Sequence, residues 1–247
     1  HAHFAELAED RNQRDPDLFS PKKIITPYIS DENNFALGGK EVFFNTCAYG
    51  VEASQYSDNY LLGILNSSLL EFIHKINTVK QRGGHFRYAT DFLELLPIHI
   101  DKDENIEKLA ETSLENRDEI DQEIANFLEW IEAEWGSDIE DLSLKTSLKE
   151  YWEYDFDEFM RVAKKNKSSI DGNVKSRDFR ERMKEEWENS MDTLRPLMQE
   201  IDELENEIDA IVFDLYDLTE EEVETVLDSL DTGENEKQRI MEKFKYQ

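Results

Sequence analysis

The hydrophobic pattern of this chain changes once, near residue 100, and that change limits the fold more than any other feature. Before it, short β-branched and aromatic runs alternate with glycine and proline: Lys23-Ile24-Ile25-Thr26, then residues 42–51, flanked by Pro21, Pro27, Gly38, Gly39 and Gly50. Such runs read as buried strands. Between them and the change of pattern, Leu61, Leu62, Leu65, Leu69, Phe72, Ile73 and Ile76 recur at spacings of three and four, which predicts one helix capped by Asp58. Thr90 is expected to cap a short turn that Pro97 stops. After residue 100 the strand signals vanish. Ile120, Ile124, Phe127, Ile131 and Trp135 mark an amphipathic helix ended by Gly136. Residues 138–165, rich in Tyr151, Trp152, Tyr154, Phe156 and Phe159, give one or two more, and residues 166–176 read as an internal linker. A long helix is expected from about 177 to 216, interrupted near Pro196. Within it Leu197, Ile201, Leu204, Ile208, Ile211, Leu215 and Leu218 form a heptad seam, which either intramolecular packing or dimerisation explains. Thr219 and Glu222 form a capping box for a further helix. The expected class is α+β and mostly α: a partial mixed α/β domain over 1–100, then a helical domain over 101–247 carrying the long heptad-patterned helix.

Charge divides the chain at the same place. There are 28 Lys and Arg against 58 Asp and Glu, a net of −30 over 247 residues. Residues 1–100 account for −4 of this and residues 101–247 for −26. A net charge this large repels nucleic acid, so it implies a halophile's solvated surface, a mimic of DNA, or a binder of basic partners. The acid is spread over helical faces, which favours the first. With 38% hydrophobic residues the chain still has material for a core. One cysteine, Cys47, excludes an internal disulfide, and no stretch approaches eighteen apolar residues. A cytoplasmic location is expected, without membrane association. The start at His1-Ala2-His3-Phe4, lacking an initiator methionine, reads as the tail of a longer protein.

Against this background residues 72–90 contain Lys75, Lys80, Arg82 and Arg87 and no Asp or Glu. The segment Gln81-Arg82-Gly83-Gly84-His85-Phe86-Arg87-Tyr88 interleaves glycines, aromatic rings and fixed positive charge. Close backbone approach, stacking and phosphate pairing are what a nucleic-acid contact loop requires. The candidate contacts are Lys80, Arg82, Gly83, Gly84, His85, Arg87 and Tyr88. The bland account of the same residues is a tight hairpin whose Phe86 and Tyr88 pack inward. A second basic segment, 161–184, holds nine basic and three acidic residues, with Lys164, Lys165 and Lys167 as candidate phosphate contacts. A solvated helix end explains it equally well. No catalytic constellation and no metal-binding histidine spacing stand out, and His74 is expected to be a satisfied structural histidine.

The ordered series Pro21-Lys22-Lys23-Ile24-Ile25-Thr26-Pro27, Asn33-Asn34-Phe35-Ala36, Asn45-Thr46-Cys47, Tyr60-Leu61-Leu62-Gly63-Ile64-Leu65-Asn66-Ser67, Arg82-Gly83-Gly84, Phe86-Arg87-Tyr88 and Phe92-Leu93-Glu94-Leu95-Leu96-Pro97-Ile98 resembles the TaqI-like C-terminal specificity domain. That domain belongs to adenine-specific DNA methyltransferases and fused restriction–modification enzymes. The stretch from Glu207 to Glu222 is similar to their terminal segment, except that Asp217 stands where a glycine is usual. The resemblance implies a target-recognition part that binds double-stranded DNA. Its partner is an N-terminal methyltransferase domain or subunit, which uses S-adenosylmethionine to methylate adenine N6. This chain shows no Asn-Pro-Pro-Tyr-type motif or cofactor-binding glycine loop, so no cofactor is expected here. The alternative from another class is a non-enzymatic acidic interaction protein, a DNA mimic or helical scaffold.

Overall fold

The computed structural model describes residues 23–38, 47–51, 55–81, 83–99 and 103–247. Strand β1 (Lys23–Pro27) is the centre of a three-stranded antiparallel sheet, between β3 (Ala36–Gly38) and β4 (Ala48–Val51). Ile24 and Thr26 are buried while their neighbours are half-exposed, the period-two pattern of a strand with one covered face. Of the expected strand over 42–51, the part at 48–51 forms and 42–46 lies outside the described residues. Strand β2 (Ile29–Ser30) pairs instead with β5 (Phe86–Arg87), setting Ile29 opposite Arg87 and Ser30 opposite Phe86.

The apolar series from Leu61 to Ile76 forms two helices, not one: α1 (Asp58–Asn66) and α2 (Ser68–Asn77). Ser67 separates them with extended backbone, φ −68° and ψ 150°. Its hydroxyl donates to the Ile64 carbonyl at 2.7 Å and accepts from the Leu70 N–H, so one serine closes the first helix and caps the second. The break resets the buried face, which leaves Ile76 62% exposed. Ser57, and not Asp58, caps α1. Likewise Thr90 is the first residue of α3 (Thr90–Leu93), with Ala89 at the cap position.

From residue 103 on, the described elements are all helical: α4 (Glu104–Trp135), α5 (Lys145–Lys149), α6 (Phe156–Lys165), α7 (Arg177–Leu215), α8 (Glu220–Ser229) and α9 (Glu234–Phe244), with two single 3-10 turns before and after α5. The fold is therefore α+β and mostly α. Gly136 ends α4 with φ +64°, the left-handed conformation a helix terminus demands. Helix α7 runs unbroken through Pro196, where an interruption was expected. The proline sits on an exposed turn, so the carbonyl it leaves unbonded faces water. Asp217 adopts φ +55°, and the Leu218 N–H reaches back to the Phe213 carbonyl at 3.1 Å, a Schellman closure with aspartate in the glycine position. The Thr219–Glu222 capping box is complete in both directions.

The chain resolves into two compact units, 1–112 with 204–247 and 113–203, a division that follows cores and not the change of pattern near residue 100. The first unit's core joins Tyr60, Ile64, Leu69, Leu70 and Ile106 to Ile208, Ile211, Val212, Phe213, Val223, Val226, Leu227 and Ile240. Gly63 lets α1 approach α4, since a Cβ there would lie 2.8 Å from Ile106 Cγ2. Ile208 and Ile211 of the heptad seam are buried in this core, with Leu215 and Leu218 packed against it. For those four positions the seam is intramolecular. The second unit packs Phe127, Trp135, Tyr151, Phe159, Phe179 and Met183. Its segment 166–176 is not a linker. Asn166 bonds the Ser143 backbone in both directions at 2.8 Å, and Ile170 and Val174 are buried.

Candidate nucleic-acid interface

The corner between α1 and α2 holds the segment between β2 and β3, which in turn reaches Tyr88 at the end of the basic hairpin. Asn66 exchanges two 2.9 Å hydrogen bonds with the Phe35 backbone, replacing a strand partner. The Asn33 amide donates to the Leu65 carbonyl, and its Oδ1 accepts from the Tyr88 hydroxyl at 2.9 Å. Tyr88 is fully buried, edge-on to Phe35 and stacked on His74 with ring centroids 4.1 Å apart. Burial drives its phenol pKa upward, and Glu71, Glu32 and Asp31 add to the shift. The expected contact role for Tyr88 is thus corrected. A ring sealed in the core cannot stack on a base, and Tyr88 anchors the hairpin from beneath. His74 is structural: it is fully buried against Tyr88, and the Arg87 backbone is a polar partner that falls short of full hydrogen-bond geometry. Burial lowers its pKa to about 4, so the imidazole is neutral at physiological pH.

Above this anchor the chain turns. The Gln81 N–H donates to the His85 carbonyl at 2.7 Å, closing a loop through Gly83 (φ +91°) and Gly84 (φ +93°). A Cβ at Gly84 would meet nothing within 4 Å, so its backbone faces open space. Lys80, Gly83, Gly84 and His85 are exposed and Arg87 is half-exposed, while Arg82 lies outside the described residues. The side chains of Lys75 and Lys80 lie over the Phe86 ring, 5.3 and 5.6 Å from its centroid. Lys75 is also paired with Glu71, one residue outside the acid-free window, so its charge is compensated. Lys80 and Arg87 form no ion pair among the described residues.

Sequence reasoning missed Tyr28 and Tyr49. The Arg87 guanidinium carbon lies 5.1 Å from the Tyr28 ring centroid, and Tyr49 packs on Tyr28 at 5.8 Å. The Tyr28 backbone is fixed on both sides, donating to the Cys47 carbonyl and accepting from the Tyr88 N–H, each at 2.8 Å. Only Tyr49 lies in a strand run read from the sequence, the one over 42–51, and Tyr28 lies just beyond the other.

The other basic segment belongs to the second unit. Arg161, Arg177, Arg180, Arg182 and Lys184 are paired with Glu158, Glu181, Asp157, Glu134 and Glu188. Lys164, Lys165 and Lys167 are exposed at and just beyond the end of α6 and form no ion pair among the described residues. Among the described residues no group of three His, Cys, Asp or Glu is arranged to hold a metal, and no helix is long and apolar enough to cross a membrane.

A small two-stranded ribbon braced by helices thus presents a glycine-containing hairpin with Lys80 exposed and Arg87 half-exposed. Residues 2–98 match the family described as the TaqI-like C-terminal specificity domain. Residues 99–212 match a second family, described as Domain of unknown function (DUF8810). A search of curated proteins finds no match.

Proposed function

We propose that this chain is the DNA-reading portion of a site-specific DNA adenine-N6 methyltransferase or restriction–modification enzyme. The observation that carries the reading is the family match of residues 2–98. The exposed hairpin supplies its physical means. Lys80, Arg82 and His85 grip the duplex, Gly83 and Gly84 admit its backbone closely, and Arg87 stands at the sheet edge. Lys164, Lys165 and Lys167 offer phosphate contacts from the second unit. Methyl transfer from S-adenosylmethionine belongs to an N-terminal methyltransferase domain or subunit, which takes a flipped adenine while this part holds the site.

The charge of −30 suits a cytoplasm of high salt. There each neutralised phosphate makes log K fall with log salt with a slope of about −0.9. Binding must then rely on few well-placed cations, with hydrogen bonds and stacking. Fluorescence anisotropy with labelled duplexes, titrated over a range of KCl concentrations, tests the proposal. The wild type is expected to bind, and Arg82→Ala or Arg87→Ala to weaken specific binding by roughly 1–3 kcal/mol. Absence of affinity for any duplex at every salt concentration, with capture of a basic protein instead, would establish the acidic interaction protein.

A further inference from the structure

Resting on the DNA-reading proposal, we infer that Arg87 reads a guanine edge in the major groove and that Tyr28 is the residue that positions it. Three observations coincide at Arg87 among the described cations of the hairpin. Its guanidinium lies against the Tyr28 ring, with Tyr49 packed on that ring in turn. Its Nε is buried without a hydrogen-bond partner, whereas its terminal nitrogens remain accessible and bond no described residue. Its backbone is fixed as well, paired with Ile29 across the ribbon, its carbonyl accepting from the Thr78 hydroxyl at 2.7 Å.

A phosphate contact needs none of this. A lysine ammonium supplies the charge as a point donor without a fork to aim, as the exposed Lys80 can. A planar fork held by an aromatic face, with its Nε buried and only its terminal nitrogens accessible, presents those donors in a set direction. That geometry matches the O6 and N7 acceptors of guanine. The surroundings point the same way. Ile29, the strand partner of Arg87, is 45% exposed, and Val79, next to Thr78, is 54% exposed. Apolar side chains beside the fork suit the floor of a groove, where thymine methyls lie, better than the hydrated phosphate backbone.

The test is a selection from randomised duplexes with the full chain, followed by sequencing. Wild type is compared with Arg87→Ala, Arg87→Lys, Tyr28→Leu, Tyr28→Phe and Lys80→Ala. Wild type should enrich a motif containing a G·C pair preferred roughly 5- to 150-fold over other pairs at that position. Arg87→Ala and Arg87→Lys should both lose that preference and keep the others. Tyr28→Leu should weaken it at the same position, and Tyr28→Phe, which keeps the ring, should retain it. Lys80→Ala should lower affinity for every sequence alike and reduce the salt slope. Retention of the full motif by Arg87→Lys, or a uniform loss for all sequences with Arg87→Ala, would make Arg87 a phosphate contact and overturn the inference. Wild-type binding without any sequence preference overturns it too, leaving DNA binding intact. Absence of wild-type binding removes the DNA-reading proposal itself.

Discussion

Asp209 of α7 is buried against the first turn of α2, accepting from the Ser68 N–H at 2.7 Å and the Ser68 hydroxyl at 2.5 Å. A helix N-terminus favours a carboxylate, yet burial outweighs the two hydrogen bonds and, with Glu205 and Glu236 adding repulsion, raises the Asp209 pKa from 3.8 to about 7. The folded state therefore holds this proton more tightly than the unfolded chain does. Stability from the site is fully present below about pH 3.8 and is lost as pH rises through about 7. At 1.36 kcal/mol per pH unit the ceiling is on the order of 4 kcal/mol. Asp209→Asn removes the charge and keeps both hydrogen bonds, with Oδ1 accepting from the Ser68 N–H and the amide donating to Ser68 Oγ. The variant should match wild type below about pH 3.8, exceed it by roughly 1–2 kcal/mol at pH 5 and by up to about 4 kcal/mol at pH 8. Urea unfolding followed by far-ultraviolet circular dichroism gives the difference at each pH. Hydrogen exchange of the α2 amides localises it. Trp130, Trp135, Trp152 and Trp187 all lie in the second unit, so tryptophan fluorescence serves as a separate monitor. A difference that stays constant from pH 5 to 8, or a loss of stability at pH 8, would refute the reasoning and show the charge to be favourable where it sits.

Asp217→Gly should stabilise the chain by about 1 kcal/mol, seen as a raised thermal midpoint, because it relieves a left-handed backbone at the end of α7. A fragment ending at residue 98 should show neither cooperative unfolding nor dispersed amide resonances. Among the described residues, nine of the fifteen buried in its core come from beyond residue 203. Restoring residues 99–247 should recover both.

What was legible in the sequence is what local chemistry decides alone. Gly83 and Gly84 take positive φ, Gly136 ends its helix, and Thr219 with Glu222 closes a capping box. The family series was equally legible as an ordered string. Its physical sense was not, because Asn33, Asn66 and Tyr88 act on partners thirty to sixty residues distant. The Ser67 break was hidden since its apolar neighbours keep helical spacing on both sides. Residues 166–176 looked like a linker by composition, yet Asn166 satisfies a backbone stretch 23 residues away. Tyr28 and Tyr49 escaped notice because a tyrosine after Pro27 and one in a strand run are ordinary until the fold packs them together and sets Tyr28 against Arg87.

The charge count of an acidic protein misleads unless pairing is taken into account. Residues 161–184 look like the stronger anion site by number, with nine basic side chains to the hairpin window's four. Five of those nine meet a carboxylate within 4 Å, which spends much of their capacity to attract a phosphate. The same correction removes Lys75 from the hairpin. What survives there among the described residues is Lys80 and Arg87, fewer charges but held by Phe86 and Tyr28. In concentrated salt, where each loose ion pair with phosphate is heavily discounted, orientation is worth more than number. The excess acid then has a second effect beyond solvation: among the described residues it pairs most of the cations of residues 161–184, though not Lys164, Lys165 or Lys167.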